Sequence, residues 1–264
     1  MRFTIKSSEK LPIRGNLEVP RGARALVILI HGFKGFKDWG FFPWLAEVLC
    51  NAGFAVCRFN MSRSGIGTNP ETFDRLDLFA DDTYSGQLDD LHRVVEHCQT
   101  RVALPTFLAG HSRGGGVAIL AAGGVHNLRG VVTWNGIARV DRWDAAARAQ
   151  WRRDGHIEVI NSRTKQIMRT STRMLDDYEA NRERFDILAA ASRLEAPLLV
   201  IHGARDESVP VSESAEIAAA GREVSRLIIG SASHTFNAIH PLVHIPRELM
   251  LAADVTASFV GAYS

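Results

Sequence analysis

The chain has 264 residues, 46% of them hydrophobic and 23% charged, with a formal net charge of +2. These values fit a packed globular protein and exclude a disordered polar chain. The near-neutral balance gives no bulk attraction for nucleic acid. The longest apolar run, Ala25 to Ile30, falls far short of the roughly 20 residues that span a bilayer.

Arg2 to Lys6 and Ile13 to Val19 read as two short strands joined by a turn at Ser7 to Lys10. Ala25 to Ile30 is apolar throughout, as a strand covered on both faces must be. A helix follows, with Phe41, Leu45, Val48, Leu49 and Ala52 at helical spacing and Gly53 as its stop. Phe54 to Phe59 is the next strand. Asp81 or Asp82 opens a helix that aligns Tyr84, Leu88, Leu91, Val95 and Cys98. Strands at 106–109, 130–134, 197–201 and 226–229 then alternate with helices near 114–122, 213–220 and the C-terminus. Such alternation predicts an α/β fold with a mainly parallel sheet and right-handed crossovers.

One stretch breaks the rhythm. Residues 139–186 are too many for a single crossover. Trp143 to Trp151 is helix-like, Ile157 to Ile160 and Lys165 to Met168 form a candidate hairpin about Asn161-Ser162, and Thr172 to Arg184 is helix-like again. The expected organisation is a core of 1–138 and 187–264 with a lid inserted at 139–186, above the strand ends. Trp143, Trp151, Ile157, Val159, Ile167 and Met168 are its candidate pocket residues. Arg148, Arg152, Arg153, Arg163, Lys165, Arg169 and Arg173 face only Asp154 and Glu158 in the segment Arg148 to Arg173. They read as a solvated face or as an attraction for acidic substrates.

The chemistry centres on Gly110-His111-Ser112-Arg113-Gly114. This G-x-S-x-G follows an apolar strand and opens a helix, the setting that exposes a serine nucleophile on a strained turn. A serine needs a base. His234 follows the last strand directly, whereas His240 and His244 lie farther along. The base needs an orienting acid. Asp206 follows the strand ending at Ile201, with Glu207 as its neighbour and alternative. The order Ser, Asp, His is the one this setting requires. Two backbone N–H donors must hold the oxyanion. Arg113, after the nucleophile, is one. Phe33, in His31-Gly32-Phe33-Lys34-Gly35 after the third strand, is the other.

These segments resemble the α/β-hydrolase fold over the whole chain. His31-Gly32-Phe33-x-Gly35, Gly110-His111-Ser112-x-Gly114-Gly115, Asp206 with Val209-Pro210, and His234 also resemble small bacterial esterases of the cinnamoyl and feruloyl type. The resemblance implies a lid after the sixth strand and hydrolysis of soluble acyl esters through an acyl-enzyme, with no metal or cofactor. The chain departs from those esterases at Lys34, where they often carry Thr, and at Arg113, where they often carry Gln. The lid residues that grip a phenolic ring in that group have no match here.

The expected activity is therefore a serine carboxylic-ester hydrolase acting on a small-molecule ester. A peptidase or amidase on the same scaffold and a non-catalytic binding scaffold are the alternatives. No metal site emerges: Pro241 and Pro246 break the helix that would align His240 with His244. No nucleic-acid partner and no membrane span are expected, and the chain is compatible with a monomer or a homodimer. Met1 to Lys6 lacks the apolar stretch of a secretory signal, so a cytoplasmic location is expected. Cys50, Cys57 and Cys98, an odd number within apolar patterns, read as buried thiols.

Overall fold

The computed structural model describes residues 1–69 and 72–264. Eight strands form one sheet: β1 (Arg2–Lys6), β2 (Pro12–Glu18), β3 (Leu26–Ile30), β4 (Ala55–Asn60), β5 (Thr106–His111), β6 (Leu128–Trp134), β9 (Leu198–Gly203) and β10 (Val224–Ile229). The order across the sheet is β1-β2-β4-β3-β5-β6-β9-β10. β1 and β2 pair antiparallel at one edge, and β2 meets β4 antiparallel. All pairs from β4 to β10 are parallel.

Side chains on a strand alternate between faces, and β3 divides its own between two cores. Leu26, Ile28 and Ile30 join the core under α3 (Tyr84–Gln99), α4 (Arg113–Ala121), α7 (Ile187–Arg193) and α8 (Val211–Ala220). Val27 and Leu29 join the core under α1 (Phe42–Asn51) and α9 (Arg247–Tyr263). Helices on both faces explain why the central strands are apolar without alternation. A short helix, α2 (Leu76–Ala80), precedes α3. Among the described residues, no helix is long and apolar enough to cross a membrane.

Residues between β6 and α7 carry α5 (Ala145–Asp154), the antiparallel hairpin of β7 (His156–Ile160) and β8 (Ile167–Ser171), and α6 (Thr172–Ala180). α5 starts two residues later than Trp143 because the Asp144 carboxylate accepts the Ala147 N–H at 2.8 Å and caps the helix there. α6 stops at Ala180, short of Arg184. The start of α3 also differs from expectation. Thr83, whose hydroxyl accepts the Gly86 N–H, is its cap, and this leaves Asp82 for another role.

The insertion is tied to the body at several points. Trp151 Nε1 donates to Thr170 O at 2.9 Å within it. Ser171 Oγ donates to Asp81, the Asp177 carboxylate accepts from Ser85 N and Oγ, and Gln166 Nε2 donates to Phe73 O. Its arginines are mostly matched by acids: Arg148 with Asp141, Arg152 with Asp176 and Glu179, Arg169 with Glu158, and Arg173 with Glu9. Cys57 and Cys98 are buried, Cys50 is half-buried, and all three are free thiols.

Candidate active site

The nucleophile turn is shaped by glycines. β5 ends at His111 and α4 begins at Arg113, so Ser112 must reverse the chain in one residue. It does so at φ 57°, ψ −122°, a conformation L-residues rarely adopt. Such strain persists only where the surroundings over-determine it. A Cβ on Gly110 would sit 2.1 Å from Gly114 O, and one on Gly114 would sit 2.4 Å from Ile30 O. Ser112 N donates to Trp134 O at 2.8 Å, which pins the turn to the end of β6.

The candidate base and acid come from the loops after β10 and β9. His234 Nδ1 donates to the Asp206 carboxylate, 2.9 Å from Oδ1 and 2.8 Å from Oδ2. Asp206 Oδ1 also accepts the N–H groups of Ser208 and Val209, each at 2.8 Å. Burial works to raise the Asp206 carboxyl. The hydrogen bonds of His202 and His234, the charge of His234 and the Val209 N–H outweigh it and hold the acid well below the usual carboxylate range. Glu207 is adjacent yet differently engaged. Its carboxylate accepts the His234 backbone N–H at 3.3 Å rather than the ring. His240 accepts the Gly40 N–H on Nδ1, and His244 is exposed.

Ser112 and His234 line the same cavity. Among the described residues no hydrogen bond is closed to Ser112 Oγ, as is common before substrate tightens a catalytic pair. Phe33, on the loop after β3, and Arg113, the first residue of α4, both lie near Ser112, and their side chains meet. The Arg113 guanidinium lies 4.2 Å from the Phe33 ring centroid and 5.2 Å from that of Tyr84. Its Nη1 is 3.4 Å from Asp82 Oδ2. Gly32 permits the close approach of the two segments, since a Cβ there would lie 2.9 Å from both His111 O and Ser112 Cβ.

Three buried residues behind the site were not singled out by sequence. Asn135, directly after β6, donates from Nδ2 to Ser233 O and His234 O and accepts the Gly203 N–H on Oδ1. It thereby ties together the loops that carry Asp206 and His234. His31 accepts the Met61 N–H on Nε2, so Nδ1 carries the proton that it donates to Gly32 O. Burial lowers its pKa to about 4 and keeps it neutral in this role. His111 Nε2 donates to His234 O, and burial likewise lowers it, to about 3. An asparagine between a buried strand and a glycine, in Trp134-Asn135-Gly136, is the one local signal among them.

The cavity has a volume of about 740 Å³. Trp143, Trp151, Ile157 and Val159 of the insertion contribute to its wall. Ile167 and Met168 do not, and as neighbours on one strand they point to opposite faces. Ile167 is 57% exposed, and Met168 is buried among Phe36, Ile66, Phe73 and Phe79. Among the described residues, no group of three or more His, Cys, Asp or Glu could hold a metal ion.

Comparison with known proteins bears on this geometry. The family described as serine aminopeptidase, S33, matches residues 21–154. Est1E from Butyrivibrio proteoclasticus, solved with ferulic acid bound, covers 99% of this chain and 98% of its own at 19% identity, with a TM-score of 0.74. The esterase domain of a Rhodothermus marinus protein covers 100% and 98% at 17% identity, with a TM-score of 0.70. At these identities the likeness is one of fold, the α/β-hydrolase fold. Rv0571c of Mycobacterium tuberculosis, whose name proposes a phosphoribosyl transferase, is 30% identical over 127 residues. That match takes in 48% of this chain and only 28% of the length of the relative.

Proposed function

Since this chain belongs to the hydrolase family described as serine aminopeptidase, S33, we propose that it is a serine carboxylic-ester hydrolase working through a covalent acyl-enzyme. The observation that carries the reading is the His234–Asp206 pair, bonded at 2.8 Å, at the edge of the cavity into which the strained Ser112 turn opens. Ser112 Oγ attacks the ester carbonyl while His234 Nε2 takes its proton. Asp206 holds the proton on Nδ1 and stabilises the imidazolium. The Phe33 and Arg113 N–H groups receive the oxyanion. Collapse expels the alcohol, which takes the proton from His234. Water then repeats the sequence on the acyl group and frees Ser112. Residues 1–138 and 187–264 are the catalytic core in this reading, and 139–186 act as a lid whose Trp143, Trp151, Ile157 and Val159 meet the substrate. The chain works on soluble esters in the cytoplasm and needs neither metal nor cofactor.

The family description favours a second reading, hydrolysis of peptide bonds from a free N-terminus. An aminopeptidase must receive a substrate ammonium. The one carboxylate among the described cavity-lining residues is Glu207, while four lining residues are cationic. That balance favours the ester reading. A fluorophosphonate probe should label the native chain, and Ser112→Ala should abolish labelling while melting at an unchanged temperature. Full labelling of folded Ser112→Ala would place the nucleophile elsewhere. Matched ester and amide substrates separate the two readings.

A further inference from the structure

The cations around the cavity are not equivalent. Arg113 and Arg142 line it, but each is matched from behind by a buried acid. Arg113 faces Asp82, and Arg142 makes a two-pronged pair with Glu213 at 2.8 and 3.0 Å. Lys34 differs. Its ammonium donates to Ile160 O at 3.3 Å and lies 5.9 Å from the Phe33 ring centroid. Among the described residues, no carboxylate stands within 4.0 Å of it. Lys34 also lines the cavity.

Two features make this placement costly. Partial burial strips water from the ammonium without supplying a counter-charge, and Lys34 is accordingly lowered below the usual lysine range. The residue also sits at φ 57°, a left-handed backbone conformation that is unfavourable for an L-residue. Glycine would meet that conformation more easily. The charged side chain is kept under both penalties one residue from Phe33, the proposed oxyanion donor. Glu207 cannot serve, because it lies on the loop after β9 and is bonded to the His234 backbone.

We propose that the physiological substrate is an ester that carries an anionic group, a carboxylate or an equivalent oxyanion, and that Lys34 receives it between the oxyanion loop and the end of β7. The inference rests on the ester-hydrolase reading above and deepens it. Lys34, on the cavity wall, would hold the anion while Ser112 reaches the ester carbonyl. The lysine bridge to the insertion is already in place, so anion binding adds a second acceptor to an oriented donor rather than building a new contact.

The test compares 4-nitrophenyl hemiglutarate with neutral 4-nitrophenyl pentanoate on the native chain, Lys34→Met and Lys34→Arg. In Lys34→Met the anionic-to-neutral ratio of kcat/KM should fall about tenfold or more, the scale of one charge-assisted hydrogen bond. Lys34→Arg should restore much of it, and added salt should erode the native ratio. An unchanged ratio in Lys34→Met overturns the proposal. Binding of hemiglutarate to Ser112→Ala, measured by calorimetry with and without Lys34→Met, gives a readout that needs no turnover. Weaker binding in the double variant supports the proposal even if the native chain proves inactive on both esters, which would count against the hydrolase reading alone. Equal binding overturns it.

Discussion

The turn that carries Ser112 and the inserted hairpin across the cavity are held in opposite ways. The turn is fixed by backbone: Gly110, Gly114 and Gly32 pack against carbonyls and chain atoms at distances no side chain could share, and Ser112 N is pinned to Trp134 O. The hairpin pairs its own two strands through the backbone, but side chains hold it to the body: buried Met168 packs among Phe36, Ile66, Phe73 and Phe79, with a few polar bonds and exposed ion pairs around it. Backbone packing tolerates no adjustment, whereas exposed ion pairs contribute about 0–1 kcal/mol each and can be exchanged. The contrast teaches where variation is affordable. Ser112 and His234 lie on the tightly packed side of the cavity, and the insertion forms much of the wall facing them.

The strongest break falls on the rigid side. In the proposed triad Asp206 meets no substrate and orients His234 through two oxygens. An amide in its place keeps the size and favours the wrong tautomer, a change of order 10⁴ in turnover in the serine-protease precedent. Asp206→Asn should therefore fold and lose most of kcat. Glu207→Gln should change kcat by less than about tenfold, well short of that precedent, because Glu207 meets only a backbone N–H. Measuring kcat and melting temperature for both variants decides it. If Glu207→Gln is the inactive protein, the acid is misassigned by one residue.

A second experiment sets the two regions side by side through glycine. Gly114→Ala places a Cβ against Ile30 O at 2.4 Å and His31 O at 2.6 Å, both backbone atoms of the strand end that carries the oxyanion loop. The chain should fail to fold or melt far below the native temperature. Gly155, at the end of α5 in the insertion, has φ 73° and nothing within 4 Å. Gly155→Ala meets only the backbone penalty, roughly 1–2 kcal/mol. Comparable melting temperatures for the two variants would remove the distinction between a rigid and an adjustable region.

This division also explains what was legible in the sequence. The alternation of apolar strands with helices carried the fold, because burial on both faces writes itself into composition. Ser112, Asp206 and His234 could be proposed because each follows a strand end, a local position. The pairings that Asn135, Asp82 and Lys34 make left no comparable trace. Their partners lie far along the chain: Gly203 and Ser233 for Asn135, Arg113 for Asp82 and Ile160 for Lys34. No spacing rule records such pairs. The hairpin strands were visible, but the face each residue presents was not. The pairing of Val159 with Met168 determines which side turns to the cavity and leaves Ile167 outside.

The smallest expected effect concerns pH, and it again separates the body from the insertion. Asp90 lies beneath the site on α3, where its Oδ2 accepts the Ser62 N–H at 2.7 Å and its buried Oδ1 has no partner. Burial, aided by the nearby charges of Asp82 and Asp89 and opposed by Ser62, raises it to about 7. Burial similarly raises Asp82, to about 6, against the charge of Arg113. Both groups hold their protons more tightly folded than unfolded. Their contribution to stability is therefore fully present below an ordinary carboxylate pKa near 3.8 and is lost as pH rises through the folded values. Each group can add a slope of at most about 1.4 kcal/mol per pH unit inside its window. The acids of the insertion, such as Asp176 and Glu158, are instead exposed and paired with arginines. Asp90→Asn removes one of the two groups. Between about pH 6 and 7 Asp90 keeps more of its proton than Asp82 does in the folded chain, so the variant should lessen the fall in urea-measured stability there. Below about pH 6 the contribution of Asp82 should remain. Parallel curves for the native chain and Asp90→Asn from pH 4 to 8, a span enclosing both windows, would show that Asp90 is ionised in the fold at all these values and that its burial is compensated.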